Sequence, residues 1–364
     1  MIDGSRWAHL DAENAKLGVP LSIGPVALTS NLLLAPVAKY CDLAWRVTCR
    51  EVSGAAVGLA CTDLLSPHGL LRGNAQSLDL AATNEADSPI GMQLYGGEAD
   101  ILAEGAVWAV RHGADVIDIN MGCPVDKVTK KDGGSKLLCD PARTVDIATR
   151  IVEAVDHASA GRVPVTAKVR LGWSCDAIVA PALARRLEGI GIAMITVHGR
   201  TTEQKFKGEV DLAGIREVVG AVERIPVIGN GDVTQPEDVV TMMRTTGCAG
   251  VMIGRGSFSR PWLFERGWAA ERGDEVRSEP TLEDKVEIIR RYFELMCRYR
   301  DERYAMGHIR RRITWFGKAM GPCKPLKEAV RNAGGAGEVH RLLDRFAAGE
   351  LRVFGPRDKT ATLT

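Results

Sequence analysis

The stretch Asp118-Ile-Asn-Met-Gly-Cys-Pro-Val125 joins a short apolar segment to an abrupt break in the pattern. Residues 116–120 are mostly apolar and β-branched, which is typical of a strand buried on both faces. Pro124 cannot continue a central strand because it has no N–H group to donate, and Gly122 allows a tight turn. Cys123 is therefore predicted to lie just beyond the carboxyl end of a strand, before a loop rich in lysine and glycine.

Seven more apolar segments of similar length alternate with helical patterns between residues 30 and 260. The eight predicted strands are residues 32–35, 56–60, 90–94, 116–120, 165–169, 194–197, 227–229 and 250–253. The helices predicted between them are residues 42–51, 98–112, 141–156, 177–188, 212–222 and 236–244. Eight repeats of strand and helix predict an α/β fold, the (β/α)8 TIM barrel. An open doubly wound sheet is the alternative, but it requires a G-x-G-x-x-G motif that does not follow the first strand.

A small helical domain is predicted after the barrel, because the composition becomes polar near residues 272–280. The predicted domains are a catalytic barrel, 1–275, and a C-terminal helical domain with a tail, 276–364. Its helices are expected at residues 282–300, 307–320, 325–332 and 338–347, with the tail from 351 onward. Residues 281–331 hold thirteen Lys or Arg and seven Asp or Glu, in a chain whose net charge is +1. This local surplus of positive charge predicts that the helical domain faces an anion.

The composition also indicates several classes to which the protein does not belong. Its nine cysteines include no C-x-x-C pair, which argues against zinc fingers and disulfide frameworks and favours a reducing cytoplasm. The first ten residues lack a basic region followed by an apolar run, and no apolar run is long enough to span a membrane. We therefore expect a cytoplasmic monomer with no bound metal and no membrane contact.

The carboxyl ends of the strands are where a barrel of this type builds its active site. Lys168 lies inside an apolar strand, where an uncompensated ammonium group is costly, so it is predicted to meet an anion or electron-rich ring or to form a Schiff base. Asn230-Gly-Asp232 and Gly254-Arg-Gly256 follow the seventh and eighth strands, where barrels commonly bind phosphate. Arg255 is predicted to pair with that phosphate bidentately.

These residues match a known family, because the chain resembles the tRNA-dihydrouridine synthases, particularly the bacterial members. The match runs in collinear order over residues 20–320. The matching stretches are Leu34-Ala-Pro-Val-Ala38, Gln93-Leu94, Asp118-Ile-Asn-Met-Gly-Cys-Pro124, Gly134-Ser135, Lys168-Val-Arg-Leu-Gly-Trp173, Thr196-Val-His-Gly-Arg-Thr201, Asn230-Gly-Asp232, Gly254-Arg255 and Pro261-Trp262, with a weaker match at residues 311–316. The Met-Gly-Cys-Pro element is specific to the family, whereas the barrel turns are shared with other flavin barrels.

The resemblance implies an FMN enzyme that reduces uridine in folded tRNA to 5,6-dihydrouridine. NADPH would reduce the flavin, flavin N5 would deliver hydride to uracil C6, and Cys123 would protonate C5. The implied FMN contacts are Pro36, Val37, Ala38, Gln93, Lys168, His198, Asn230, Gly231, Asp232, Gly254 and Arg255. The implied substrate contacts are Asn120 beside the uracil, Lys127, Lys131 and Arg200. Those expected in the helical domain are Arg310, Arg311 and Arg312, with Lys318, Lys324 and Lys327.

The first β–α turn departs from the family pattern of Met-Ala-Gly followed by a polar turn and Asp. Here the segment is Val37-Ala-Lys-Tyr-Cys-Asp42, so Lys39 and Tyr40 add bulk and charge at the expected flavin edge. Three other interpretations stay open. One is a flavin barrel acting on a small molecule, such as a dihydroorotate or ene reductase, which leaves the basic helices unexplained. The others are a Schiff-base aldolase using Lys168 and an RNA-binding protein without catalysis.

Overall fold

A computed structural model describes residues 16–353 and contains a closed barrel of eight parallel strands. The strands are β1 Leu32–Leu34, β2 Leu59–Cys61, β3 Ile90–Leu94, β4 Val116–Met121, β5 Val165–Arg170, β6 Met194–His198, β7 Val227–Asn230 and β8 Gly250–Ile253. Each strand pairs with the next in the chain, and β8 pairs with β1 to close the ring. This arrangement confirms the predicted (β/α)8 TIM barrel.

Four strands extend one residue further than predicted: β4 through Met121, and β5, β6 and β7 through Arg170, His198 and Asn230. In β5, β6 and β7 the apolar pattern stops at this last, polar side chain, but the backbone pairing continues. Arg170 is the Cα partner of His198, and His198 is the Cα partner of Asn230. The second strand is shifted instead, because Gly54–Ala56 forms a short 3-10 turn where the strand was expected to begin.

Fourteen α-helices lie in residues 16–353. They are α1 Leu43–Ser53, α2 Pro67–Leu71, α3 Ala75–Ala81, α4 Ala99–Arg111, α5 Asp126–Thr129, α6 Pro141–Ser159, α7 Ala180–Gly189, α8 Leu212–Val219, α9 Pro236–Thr246, α10 Leu263–Arg272, α11 Leu282–Tyr299, α12 Glu302–Phe316, α13 Lys324–Asn332 and α14 Ala336–Ala347. The sequence pattern did not predict α2, α3, α5 and α10. It also began α12 five residues late, because the helix starts after an N-cap at Asp301, whose carboxylate accepts the Tyr304 N–H at 2.7 Å.

A two-stranded hairpin, Ser22–Ile23 and Val26–Ala27, precedes the barrel and was not predicted. Its Ile23 packs in one cluster with residues at or near the amino ends of barrel strands, among them Leu33, Val116 and Met194. These side chains are fully buried. The amino end of the barrel is thus closed by apolar side chains, which leaves the carboxyl end for a site.

The chain divides into two compact units. The first contains the barrel strands and runs to Ser257, continuing through Trp262–Val276. The second contains α11 to α14 together with the short segment Phe258–Pro261. The predicted division at 275/276 placed that segment with the barrel instead. Most of the predicted tail, like the first ten residues, lies outside the described part of the chain.

The described residues contain neither a membrane-spanning helix nor a cluster of metal-ligating side chains. No helix between residues 16 and 353 combines the length and the apolar character that crossing a bilayer requires. No cluster of three or more His, Cys, Asp and Glu side chains in the same range is arranged to hold a metal ion.

Candidate active site at the carboxyl end of the barrel

Asn120 fixes the backbone around Cys123 at the end of β4. Its side-chain oxygen accepts the Cys123 N–H at 2.9 Å and the Gly122 N–H at 3.2 Å. Its amide nitrogen donates to the Gln93 side-chain oxygen at 2.7 Å. Gln93 in turn donates to the buried Asp118 carboxylate at 2.5 Å. The backbone of the cysteine is therefore held by a chain of side-chain hydrogen bonds that runs across β3 and β4.

Gln93 lies behind this chain of hydrogen bonds and has no exposed surface. The sequence prediction made it a direct FMN contact, but both ends of its amide are used by Asn120 and Asp118. Burial raises the pKa of Asp118, while the hydrogen bonds from Gln93 and Thr166 act in the opposite direction. The structure therefore gives Gln93 a supporting position rather than one at the open mouth.

The Cys123 side chain is half-buried at the mouth of the barrel. Burial raises the pKa of its thiol, so the protonated form predominates at neutral pH. Its carbonyl accepts the Ser135 N–H at 3.0 Å, which draws the following loop back over the cysteine. Gly134, at φ +60°, allows this approach, because a Cβ there would lie 2.6 Å from the Cys123 carbonyl oxygen.

Lys168 on β5 lies beside Asn120, its Cα partner on β4. Its ammonium group donates to the Asn230 side-chain oxygen at 2.7 Å. Asn230 is itself oriented by a 2.7 Å hydrogen bond to the Met252 carbonyl on β8. Burial, with a further contribution from Arg170, lowers the pKa of Lys168 to about 8. The predicted FMN residues Lys168 and Asn230 are thus brought together across the mouth.

His198 at the end of β6 lies in a strongly cationic environment. Burial is the first cause that lowers the pKa of His198, and the positive charges of Lys168, Arg170, Arg200 and Arg255 lower it further. The imidazole is therefore neutral at physiological pH and offers one donor and one acceptor. Four cations close enough to suppress its protonation create a positive field suited to an anion.

Arg200 forms a bidentate ion pair with Asp232, with N–O distances of 2.9 and 2.5 Å. The arginine is only 1% exposed, so the prediction that Arg200 contacts the substrate is wrong. Its guanidinium group is committed to Asp232 and to the carbonyls of the 207–208 turn. Arg255 lies 3.7 Å from the same carboxylate, but its side chain is 46% exposed. Arg255 is therefore the cation of this group that remains accessible to a ligand.

Arg170 and Phe206 are site residues to which the sequence analysis gave no role. Arg170 donates to the Gly122 carbonyl at 2.8 Å and the Thr201 carbonyl at 2.6 Å. Burial lowers its pKa to about 10. Phe206 is 53% exposed, and the guanidinium carbons of Arg170 and Arg255 lie 5.4 and 5.2 Å from its ring centroid. Alternation along β5 places Arg170 on the same side as Lys168, and this signal was available in the sequence.

The first β–α turn contains the predicted FMN residues Pro36, Val37 and Ala38, all at least partly exposed. A Cβ on Gly254 would lie 3.7 Å from a Val37 methyl group, so the turns after β1 and β8 adjoin each other. Lys39, at φ +70°, is left-handed, and its N–H donates to the carboxylate of Asp63. Burial raises the pKa of Asp63 to about 6. Lys39, where the sequence differs from the family pattern, therefore has a strained backbone conformation that is stabilised by the hydrogen bond to the buried Asp63 carboxylate.

Other predicted substrate contacts lie on exposed surfaces. Lys127 and Lys131 are exposed on the loop that follows Cys123. In the helical unit Arg310 and Arg311 are exposed, with Arg310 also donating to the Ala333 carbonyl at 2.7 Å. Lys318 and Lys324 are exposed and Lys327 is half-buried.

Arg312 has a different position from the one predicted. It is 1% exposed, and its guanidinium carbon lies 5.4 Å from the ring of Phe258 and 5.3 Å from that of Tyr292. Three consecutive helical residues fan over more than half a turn, so one of them faces the interior. The prediction that Arg312 contacts RNA is therefore wrong: this arginine belongs to the core of the helical unit.

Comparison with solved structures agrees with the barrel fold. A histamine dehydrogenase from Rhizobium sp. 4-9 superposes with a TM-score of 0.54 at 13% identity, covering 78% of this chain and 51% of that one. A 2-naphthoyl-CoA reductase superposes with a TM-score of 0.54 at 11% identity, covering 72% of this chain and 53% of that one. This chain therefore spans about half the length of each structure, and the likeness concerns the fold alone.

Sequence comparison gives a more specific relationship. A probable tRNA-dihydrouridine synthase of Mycobacterium tuberculosis (strain ATCC 25618 / H37Rv) is 34% identical over 331 residues, covering 90% of this chain and 84% of that protein. The tRNA-dihydrouridine synthase B of Xanthomonas axonopodis pv. citri is 34% identical over 298 residues, covering 82% and 87%. The family model for dihydrouridine synthase (Dus) matches residues 33–348. The chain belongs to the dihydrouridine synthase family.

Proposed function

We propose that this protein is an FMN-dependent tRNA-dihydrouridine synthase that uses NADPH to reduce the C5–C6 double bond of uridine. Family membership supports the reaction and the tRNA substrate. The observation that carries the chemical part is Cys123, a half-buried thiol at the barrel mouth beside a positively charged group of side chains.

The residues at the mouth fit a flavin mononucleotide, which combines a phosphate with a flat ring system that carries several hydrogen-bond acceptors. Lys168 and neutral His198 would face the ring, with Asn230 orienting the lysine. Arg255 and the glycine turns at Gly231 and Gly254 would hold the phosphate. Gly231 has φ +132°, and a Cβ there would lie 2.6 Å from a Val210 methyl group, so the turn after β7 requires glycine. Asp232 would act indirectly, through Arg200.

A bound flavin would be the source of the hydride for uracil C6, and NADPH would reduce the flavin again. Cys123 would donate its proton to C5, which would complete the addition of two hydrogens across the double bond. Burial supports this role because it keeps the thiol protonated until the uracil carries negative charge. Asn120 would hold the cysteine backbone and lie beside the base. Arg170 and Lys168 would stabilise the negative charge that develops on the ring after hydride addition.

The helical unit would bind the polyanionic part of the substrate. Arg310, Arg311, Lys318 and Lys324 are exposed on it, and tRNA binding by such groups depends strongly on salt. Lys127 and Lys131 would contact RNA near the mouth. The target uridine must leave its stack to reach Cys123, as other base-modifying enzymes require.

The test is a reconstituted reaction with purified protein, FMN, NADPH and unmodified transfer RNA. We expect tRNA fragments to gain the mass of two hydrogens at defined uridines, measured by mass spectrometry after nuclease digestion. A parallel reaction contains free uridine, orotate and an activated alkene. Reduction of these small molecules with unchanged tRNA would favour the rival interpretation, a small-molecule flavin reductase. The same assay with NADH in place of NADPH determines the reductant.

A further inference from the structure

One side of α12 carries Arg303, Gly307 and Arg311 at intervals of four residues. Side chains four apart lie one above another on a helix, so these positions form a single stripe. Arg303 and Arg311 are exposed, and Gly307 is partly exposed between them. The stripe thus consists of two cations separated by a position without a side chain.

Gly307 occupies the middle of a 15-residue helix, where glycine is the least favourable residue after proline. In many helices such a glycine lets another element pack closely. Here a Cβ built on Gly307 would meet no atom of the described chain within 4 Å. Internal packing therefore does not require this glycine, and its conformation is an ordinary helical one that alanine adopts more readily.

The two arginines beside it are also uncommitted. Neither Arg303 nor Arg311 makes a hydrogen bond or ion pair within residues 16–353, in contrast to neighbouring Arg310, which donates to Ala333. About 12 Å of helix axis separates Arg303 from Arg311, at 1.5 Å per residue. Two long arginine side chains at this separation can converge on neighbouring phosphates of one strand.

We propose that the Arg303–Gly307–Arg311 stripe of α12 receives one strand of RNA, with the sugar-phosphate backbone packed directly against Gly307. This inference rests on the proposed function for the identity of the polyanion. Charge complementarity supports it, and the missing side chain lets the strand approach the helix backbone. The arginines on either side would each neutralise a phosphate, which is how proteins position an RNA strand without reading its sequence.

Gly307→Ala and Gly307→Gln test the close approach. Both residues favour helix, so each variant should keep its Tm or raise it by about 2–4 °C. Affinity for tRNA should nevertheless fall several-fold with alanine and further with glutamine. The matched control is Gly337→Ala in α14, which changes another helical glycine of the same unit. Unchanged tRNA affinity in both Gly307 variants, or a Tm lowered by Gly307→Ala, would overturn the proposal.

Arg303→Gln with Arg311→Gln tests the phosphate contacts. The slope of log affinity against log salt should decrease by about 1.4–1.8, corresponding to two lost phosphate contacts. Arg341→Gln, on α14, removes one exposed charge elsewhere on the unit and should change the slope less. An unchanged slope in the double variant would refute the stripe. Dihydrouridine formation at saturating tRNA is measured on the same preparations, so a failure of the enzymatic proposal is recognised separately. Equal losses on tRNA and on anionic phospholipid vesicles would instead assign the stripe to membranes.

Discussion

The side-chain oxygen of Asn120 accepts the backbone N–H of Cys123 at 2.9 Å, so the base of the loop that carries Cys123 is fixed by the strand that precedes it. Asn120 is in turn hydrogen-bonded to Gln93 on the neighbouring strand. The thiol therefore extends from a rigid part of the barrel rather than from a free loop. Such support is what a proton donor needs, because its distance to the acceptor carbon must be reproducible.

Cys123→Ala should abolish most dihydrouridine formation, because the uracil then lacks its proton donor. The expected loss is about a hundredfold to ten-thousandfold, the usual contribution of general acid catalysis. FMN content and NADPH-dependent flavin reduction should stay at wild-type levels. Cys139→Ala is the control, since that cysteine is exposed on the following loop. Wild-type rates on unmodified tRNA in Cys123→Ala would remove this residue from the mechanism.

FMN affinity should decrease as the pH rises through about 8, the pKa to which burial lowers Lys168 in the free protein. The sign follows from linkage: an electron-rich or anionic ligand binds the protonated amine, so loss of that proton weakens binding, by at most about tenfold per pH unit. Fluorescence titration of apoprotein with FMN measures this dependence. The FMN affinity of Lys168→Arg should not change with pH over the same range, because arginine stays protonated. A flat wild-type profile would contradict the assignment.

Lys39→Gly should stabilise the fold by about 1 kcal/mol, because a left-handed conformation at φ +70° is costly for lysine and free of strain for glycine. Urea unfolding measures the change in the free energy of unfolding. Lys205→Gly, at φ +52° in another loop, is the matched control and should stabilise by a similar amount. A destabilised Lys39→Gly variant would mean that the lysine side chain contributes more than its backbone strain costs.

Arg311→Glu and Arg312→Glu should have opposite consequences although they change neighbouring residues. Arg311→Glu should weaken tRNA binding and flatten its salt dependence with little change in Tm, because its side chain is exposed. Arg312→Glu should destabilise the helical unit by about 3 kcal/mol or more, because it buries a carboxylate among Phe258 and Tyr292. Filter binding and thermal unfolding distinguish the two. Equal effects in both assays would refute the difference in burial.

The barrel was predictable because its strands are apolar on both faces and follow one another at regular intervals. The positions of Cys123, Lys168 and Asn230 at one rim followed from the same regularity, since parallel strands place their carboxyl ends together. The hairpin at Ser22–Ile23 was missed because strands of two residues are too short to show a period.

Other features depend on partners distant in sequence. Arg200 was expected to face the substrate, but it is buried in an ion pair with Asp232. Arg200 follows β6, whereas Asp232 follows β7. The hydrogen bond from Lys39 to Asp63 likewise connects the turns after β1 and β2. In the helical unit a run of three arginines indicated positive charge, but which one faced the core was decided by Phe258 and Tyr292. Charge and period in a sequence do not specify such pairs.

Because Asn120, Lys168, His198 and Asn230 come from four successive strands, the mouth exists only when those strands are paired. Parallel neighbours are joined through a helix, so each pairing closes a long loop, and ring closure further requires β8 to meet β1. We therefore expect the ligand site to assemble late in folding, after most of the entropic cost of these loops has been met. Asn230 is hydrogen-bonded to Met252 on β8, and Arg255 follows that strand, so we expect a chain truncated before β8 to lose the proposed flavin site.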